Sequence, residues 1–314
     1  MLVVSLAPAA DAAKYASDLG GGTLMTIVLG DNQYGKAETH LVRVTRVGAT
    51  HDIKDINVSI ALAGDFDASH IAGDNSNVVP TDTQKNTVFA YAKEAPVGEI
   101  EDFALRLARH FVDDFVAVRR ARVTIEEYLW ARINAAGEPH PHAFMRAGAE
   151  KRLVTVTCTG NEAWVVSGLS DLVLLKSTGS EFWGYPRDRF TTLEETRDRV
   201  LATAVVARWR YAEEKVDWGA AFAQTRSALI EAFAIKHSLA LQQTLYAMGE
   251  AALKTRPEIA EIRLALPNKH HFVVDLSPFG LENDSEVFYA ADRPYGLIEG
   301  TVMRDDAPEP GLAW

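Results

Sequence analysis

The chain has a single cysteine, Cys158. One thiol excludes internal disulfides and any metal centre built from several thiolates, and it suits a reducing compartment. Long hydrophobic runs are also missing: no apolar stretch reaches the ~20 residues that a helix needs to cross a bilayer. Positive charge is in the minority, with 32 Lys and Arg against 43 Asp and Glu and a formal net charge of -11. Such a surface field repels polyanions and acidic membranes, so neither nucleic acid nor a membrane is expected as a partner. No basic segment precedes the mildly apolar residues 2 to 9, which argues against a secretory signal. The sequence has no Gly-rich phosphate loop before Lys-Ser/Thr, no His-Glu-x-x-His and no Gly-x-Ser-x-Gly, so nucleotide hydrolysis, zincin chemistry and serine hydrolysis lack a basis. His140 and His142 flank Pro141 with no third ligand nearby in sequence, and read as a solvated turn.

What is present is an ordinary globular composition. At 314 residues and 47% hydrophobic content, the chain can fill about two cores of roughly 150 residues each. Gly20-Gly21-Gly22 sets off residues 1 to 24 as a flexible extension. From Glu38 onward Val42 and Val44 alternate with charged neighbours, then Ile56, Val58, Ile60 and Leu62 repeat at period two, which predicts two antiparallel strands. After a polar stretch over 64 to 77, Thr81 and Gln84 have capping-box spacing ahead of Val88, Tyr91 and Ala92, so a helix is expected to start there. A second helix follows, with Ile100, Phe103, Leu107 and Phe111 on one stripe. Ala121, Val123 and Ile125 then return to strand periodicity.

The loop over 135 to 141 and the polar run to Lys151 mark an expected boundary, after which the order repeats. Strands are expected at 152 to 158 and 162 to 176. In the first of these Val154, Val156 and Cys158 share a face, so Cys158 reads as a buried structural thiol. A short helix is expected in the following insertion, because Thr192 and Glu195 again have capping-box spacing. Helices opening at Asp217 and after Ser238 come next, then strands marked by Ile262, Leu264 and Leu266, by Phe272, Val274 and Leu276, and by 295 to 303. Paired strands around paired helices, without βαβ alternation, predict an α+β fold with antiparallel sheet. The units expected are 25 to 147 and 148 to 304, with a tail from 305 to 314. Each would leave exposed sheet edges that a larger assembly could close into a barrel.

Four segments, taken together in this order and spacing, resemble the uricase family: Tyr34-Gly35-Lys36, Val79 to Thr87, Phe182 to Asp188, and Leu266-Pro267-Asn268-Lys269-His270-His271. Thr191 to Thr196 running on to Arg199, and Leu241-Gln242-Gln243-Thr244, also match. The resemblance covers residues 28 to 303. It implies the tunnelling fold: two ββααββ units per chain, assembled as a homotetramer whose sheets close a barrel, with active sites between subunits. The implied reaction is oxidation of urate by O2 and water to 5-hydroxyisourate and hydrogen peroxide. No metal, flavin or haem is implied, because urate itself supplies the electrons.

The resemblance assigns roles residue by residue. Lys36, Thr81 and His270 are the implied catalytic set, moving protons off urate. Read without the family, Lys36 is a solvated charge at a strand start and Thr81 a helix cap. Thr81 and Asp82 are also implied to meet the purine at a helix start, where backbone N–H groups favour an anion; a first-turn acid is the plain reading of Asp82. Arg199 and Gln242 are the implied clamp on the ring, with a guanidinium fork and an amide matching adjacent N–H and C=O groups. Otherwise Arg199 is expected on the short helix, paired with Glu195 at i,i+4. Phe182 is implied to stack on the ring, Leu193 and Leu241 to shape the pocket, and Asn268 to hold O2 or water above the purine plane. Pro80 departs from the pattern, since a small residue is common there, and it lacks an N–H. Another enzyme of the fold, such as a pterin-forming cyclohydrolase or aldolase, would need a zinc site or an acidic pterin-binding residue. A non-catalytic purine-binding protein is a further alternative. The chain ends Pro310-Gly311-Leu312-Ala313-Trp314 without Ser-Lys-Leu, which leads to a cytoplasmic expectation.

Overall fold

A computed structural model describes residues 27 to 213 and 215 to 314. The expected N-terminal extension, 1 to 24, lies outside the described residues. Contacts divide the chain into Met1–Asn32 and Gln33–Trp314. Residues 27 to 32 of the first part contain no helix or strand.

The larger part is built on one antiparallel sheet of eight strands in simple sequence order: β1 (Tyr34–Val47), β2 (Thr50–Gly64), β3 (Val118–Ala135), β4 (Glu138–Thr159), β5 (Ala163–Lys176), β6 (Leu201–Tyr211), β7 (Ile259–Val273) and β8 (Phe288–Met303). Helices α1 (Asp67–Ile71), α2 (Thr81–Glu94) and α3 (Ile100–Asp114) come between β2 and β3; α4 (Trp218–Ile235) and α5 (Leu241–Thr255) come between β6 and β7. This is the α+β class with antiparallel sheet that the paired periodicities predict.

Alternation along the strands decides which face the helices cover. Ile56, Val58, Ile60 and Leu62 of β2, with Ala121, Val123 and Ile125 of β3, are buried against Val88 of α2 and Phe103, Leu107 and Phe111 of α3. Each such Leu or Phe contributes about 1.5–3 kcal/mol over an exposed position. A second core joins Leu201, Val205, Ala207 and Trp209 of β6 to Leu229 and Phe233 of α4, Leu245 and Met248 of α5, and Ile262, Leu264 and Leu266 of β7. Cys158 is fully buried in the first core, where burial pushes its thiol up to about 11.

Several local expectations change. The run 135 to 151 is a long hairpin arm: Ala135 pairs with Glu138 across Ala136 and Gly137, both of positive φ, as a two-residue primed turn requires. His140 and His142 therefore lie in β4, not in a solvated turn, with ring centres 4.5 Å apart. Residues 147 and 148 also fall inside β4, and the two ββααββ sets meet at the turn between Thr159 and Ala163. The polarity of that run reflects an exposed hairpin arm, which a boundary would mimic. Strand β6 was not anticipated, although Val205, Ala207 and Trp209 are buried and alternate with the less buried Val206 and Arg208. No short helix forms over 192 to 199. That segment is irregular and joins Phe182 to Thr196 by a bridge, with Phe182 N–H donating to Thr196 O at 2.9 Å and Thr196 N–H to Phe182 O at 3.0 Å.

Buried charge links the two sets. Arg152 of β4 pairs with Glu101 of α3 at 2.7 Å and with Glu99 at 2.6 Å, and Ser167 of β5 donates to Glu101 at 2.6 Å. Arg152 also lies over the Phe222 ring of α4, 4.7 Å from its centre. Among the described residues, no helix is long and apolar enough to cross a membrane.

Candidate active site

The structure gathers the expected site residues into two groups. The first stands at the outer edge of β1. Tyr34 hydroxyl accepts from Val79 N–H at 2.7 Å and donates to Val79 O at 3.2 Å, which ties the start of β1 to the segment entering α2. Gly35 follows because nothing larger fits: a Cβ there would stand 1.8 Å from the carbonyl oxygen of Ile60 on β2. Lys36 is the last paired residue before a bulge, where Glu38 adopts φ 57° and its N–H turns to the Ser59 hydroxyl at 3.0 Å.

At α2 the helix begins where expected, but the capping box does not form. Pro80 is the cap residue with φ −54°, an angle its ring already favours, and Thr81 is the first helical residue. Gln84 is instead fully buried. Its Oε1 accepts from the backbone N–H of Lys36 at 3.2 Å and its Nε2 donates to Val79 O at 3.2 Å. Thr81 and Asp82 are exposed at the helix start. The Asp82 carboxyl is held low by its hydrogen bond to Lys85 and the charge of that lysine, with the charge of Lys36 adding to the effect. Lys36 is thus within electrostatic reach of the first turn of α2, where orphan N–H groups favour anions.

The second group lies around the start of β6 and the middle of β7. Arg199 stands in the irregular segment just before β6, so the proposed pairing with Glu195 along a helix is replaced. Glu195 accepts from Gly184 N–H at 2.9 Å, and Arg199 Nε donates to Ser180 Oγ at 3.3 Å. Its guanidinium carbon is 5.2 Å from the centre of the Phe182 ring. Phe182 also stacks on Tyr185 at 4.9 Å with the planes 18° apart.

Ser180 is fully buried and is the hub of this group. Through the bridge of Ser180 to Ser238, Glu181 N–H donates to Ser238 O at 2.7 Å. Ser238 receives a hydrogen bond from Thr244 Oγ1 at 2.8 Å, and this fastens the start of α5. Gln242 is exposed on that first turn, while Leu241 beside it is buried in the second core. Leu193 is exposed.

Asn268 pairs with Thr203 of β6 and Gly296 of β8; His270 follows after a register shift. Burial lowers the pKa of His270, and the nearby charges of Arg199 and His271 lower it further. A neutral imidazole beside a permanent cation can accept a proton, while the cation favours an anionic ligand.

The two groups are apart within one chain. Lys36 belongs to β1, at one edge of the sheet, and Asn268 and His270 to β7, next to the opposite edge. Gln84 reads in the sequence only as a capping-box residue, and Ser180 is not singled out there: an amide or hydroxyl looks the same whether it faces water or a buried backbone group. The one available signal was that Gln84 shares a stripe with Val88 and Ala92, at helical spacing.

A sequence model of the family described as Uricase matches residues 32–157 and 165–299. The chain is 54% identical over 288 residues to the uricase of Arthrobacter globiformis, covering 92% of this chain and 94% of that one. It is 37% identical over 278 residues to the uricase of Dictyostelium discoideum, covering 87% and 96%. The crystal structure of uricase from Arthrobacter globiformis superposes with a TM-score of 0.87, covering 91% of this chain and 98% of the other. A uricase structure from Bacillus fastidious shares the fold at 23% identity and a TM-score of 0.75.

Proposed function

The chain belongs to the uricase family, and from that premise we propose that it oxidises urate with O2 and water to 5-hydroxyisourate and hydrogen peroxide. One observation supports the assignment of residues: Lys36 is within electrostatic reach of Asp82 at the anion-favouring start of α2, while Arg199, Phe182 and His270 cluster toward the other edge of the sheet. A single site using both groups needs two chains.

In this reading the partner copy supplies one group and the sheet edges supply the contact. Strands β1 and β8 end the sheet on either side, and exposed Val42 and Val47 on β1, with Tyr295, Leu297 and Met303 on β8, are the apolar side chains such an assembly would cover. A homotetramer that closes the sheets into a barrel satisfies both demands.

Arg199 and Gln242 hold the N–H and C=O edges of urate, and Phe182 packs on its flat face. Thr81 and Asp82 receive the anionic ring at the start of α2. Lys36, Thr81 and His270 draw a proton from bound urate, leaving an electron-rich dianion. Two electrons then pass from the dianion to O2, which bonds to C5 of the ring and takes back the relayed proton as a 5-hydroperoxide. Asn268 holds the oxygen above the ring. Loss of hydrogen peroxide leaves an oxidised purine, and addition of water at the same carbon gives 5-hydroxyisourate. The protein's part is to bind, orient and move protons. Urate itself supplies the electrons, so the proposed reaction uses no metal or organic cofactor, and the proposed setting is cytoplasmic.

The test is loss of urate absorbance with matched release of peroxide after exhaustive chelation. Equal amounts of urate consumed and peroxide formed are expected. A chelated, assembled protein that leaves urate intact in air would overturn the proposal.

A further inference from the structure

Gln84 occupies a place where a helix of this kind ordinarily presents a polar side chain to water. Instead its amide is fully buried, and a buried amide costs roughly 1–3 kcal/mol unless its hydrogen-bonding groups are met. Both are met. The oxygen takes the backbone N–H of Lys36 at 3.2 Å, and the nitrogen gives to Val79 O at 3.2 Å. Its own N–H donates to Pro80 O at 3.1 Å, within the first turn of α2. One residue thus grips the strand that carries Lys36 and the loop that delivers Thr81.

The need for such a grip follows from the strand. β1 is an edge strand, paired on one side only, and its ladder breaks between Lys36 and Thr39. At such a break a backbone N–H needs a partner from outside the ladder. Gln84 supplies it for Lys36, as Ser59 does for Glu38.

We propose that Gln84 is a positioning residue for the oxidation, fixing Lys36 against Thr81 so that the proton leaving urate has a relay of set length. The inference rests on the roles given above to Lys36 and Thr81. It assigns Gln84 no contact with substrate. Misplacement by about 1 Å can cost up to about a hundredfold in rate, so the effect belongs to turnover more than to binding.

Two variants and a control test it in the full-length protein. Gln84→Met keeps volume but removes both amide contacts; kcat per active site should fall about tenfold, with a smaller change in KM for urate, because the Arg199 and Gln242 grip is untouched while the Thr81 segment shifts. Gln84→Glu keeps the acceptor for Lys36 N–H but adds a carboxylate beside it. The acid-side limb of the kcat–pH profile should then move to higher pH, because an added anion favours the protonated form of a neighbouring base. Melting temperatures identify a purely structural role. If either folded variant shows wild-type kcat and an unshifted pH profile with only a lower Tm, the proposal is overturned. Lys36→Ala separates the two levels of the argument: near-normal turnover there removes the site reading and this inference together. Lost turnover in Lys36→Ala with unaffected Gln84 variants removes this inference alone.

Discussion

The guanidinium carbon of Arg199 lies 5.2 Å from the centre of the Phe182 ring, and its Nε donates to the buried Ser180 hydroxyl. The Nε is thus held by the protein, and the guanidinium lies over the Phe182 ring. The pairing makes Arg199 and Phe182 one unit.

Replacing Arg199 by Lys should therefore hurt more than loss of charge implies. A lysine keeps the positive charge but neither the fork nor the stack. We expect kcat/KM for urate to fall by about 2 kcal/mol, roughly thirtyfold, chiefly through KM. Steady-state kinetics check this; an unchanged KM would take Arg199 out of substrate binding.

His270 gives a pH prediction. Burial, the Arg199 charge and the His271 charge all disfavour its imidazolium. The folded pKa is therefore below the unfolded one, about 6.5. The unfolded chain binds more protons as pH drops below that value, so the contribution is fully present above it and is lost as pH falls through the folded pKa. In Arg199→Gln one of the three causes is removed, and the His270 resonance should titrate at higher pH by NMR. No upward movement would mean that Arg199 does not act on the ring.

Gly35→Ala puts a methyl group 1.8 Å from the Ile60 carbonyl oxygen, and backbone must move to admit it. Overpacking of this kind costs about 1–3 kcal/mol. Thermal denaturation should show the loss. Turnover per folded molecule should also drop, since the displaced strand carries Lys36. A variant as stable and as active as the parent would refute the close approach.

Arg152→Met leaves Glu101 without its guanidinium in a site where burial already raises the carboxyl's pKa. Removing one partner of a buried pair costs about 3–5 kcal/mol. Replacing Glu101 by Leu as well should recover part of the loss, because no charge is then left stranded. Denaturant melts of the single and double variants measure this, and additive losses would contradict it.

Period-two and helical spacings identified β1, β2 and β3, the helices α2 to α5 and the α+β class, because each repeat shows which side of an element meets a core. The ordered segments around Lys36, Thr81, Phe182, Arg199, Asn268 and His270 identified the family, since they are local stretches of chain. What local pattern did not contain was anything settled by partners far along the chain. Strand β6 mixes apolar residues with Thr203, Arg208 and Arg210, and it became a strand by pairing with β5 and β7. The segment before Arg199 has capping letters, yet bridging to Phe182 outcompeted one turn of helix. Gln84 and Ser180 carry ordinary polar side chains, and only the packed structure shows which backbone groups they hold. Composition and periodicity depend on each residue's own chemistry, whereas the joining of Lys36 to α2 and of Arg199 to Phe182 depends on hydrogen bonds that exist only once distant segments meet.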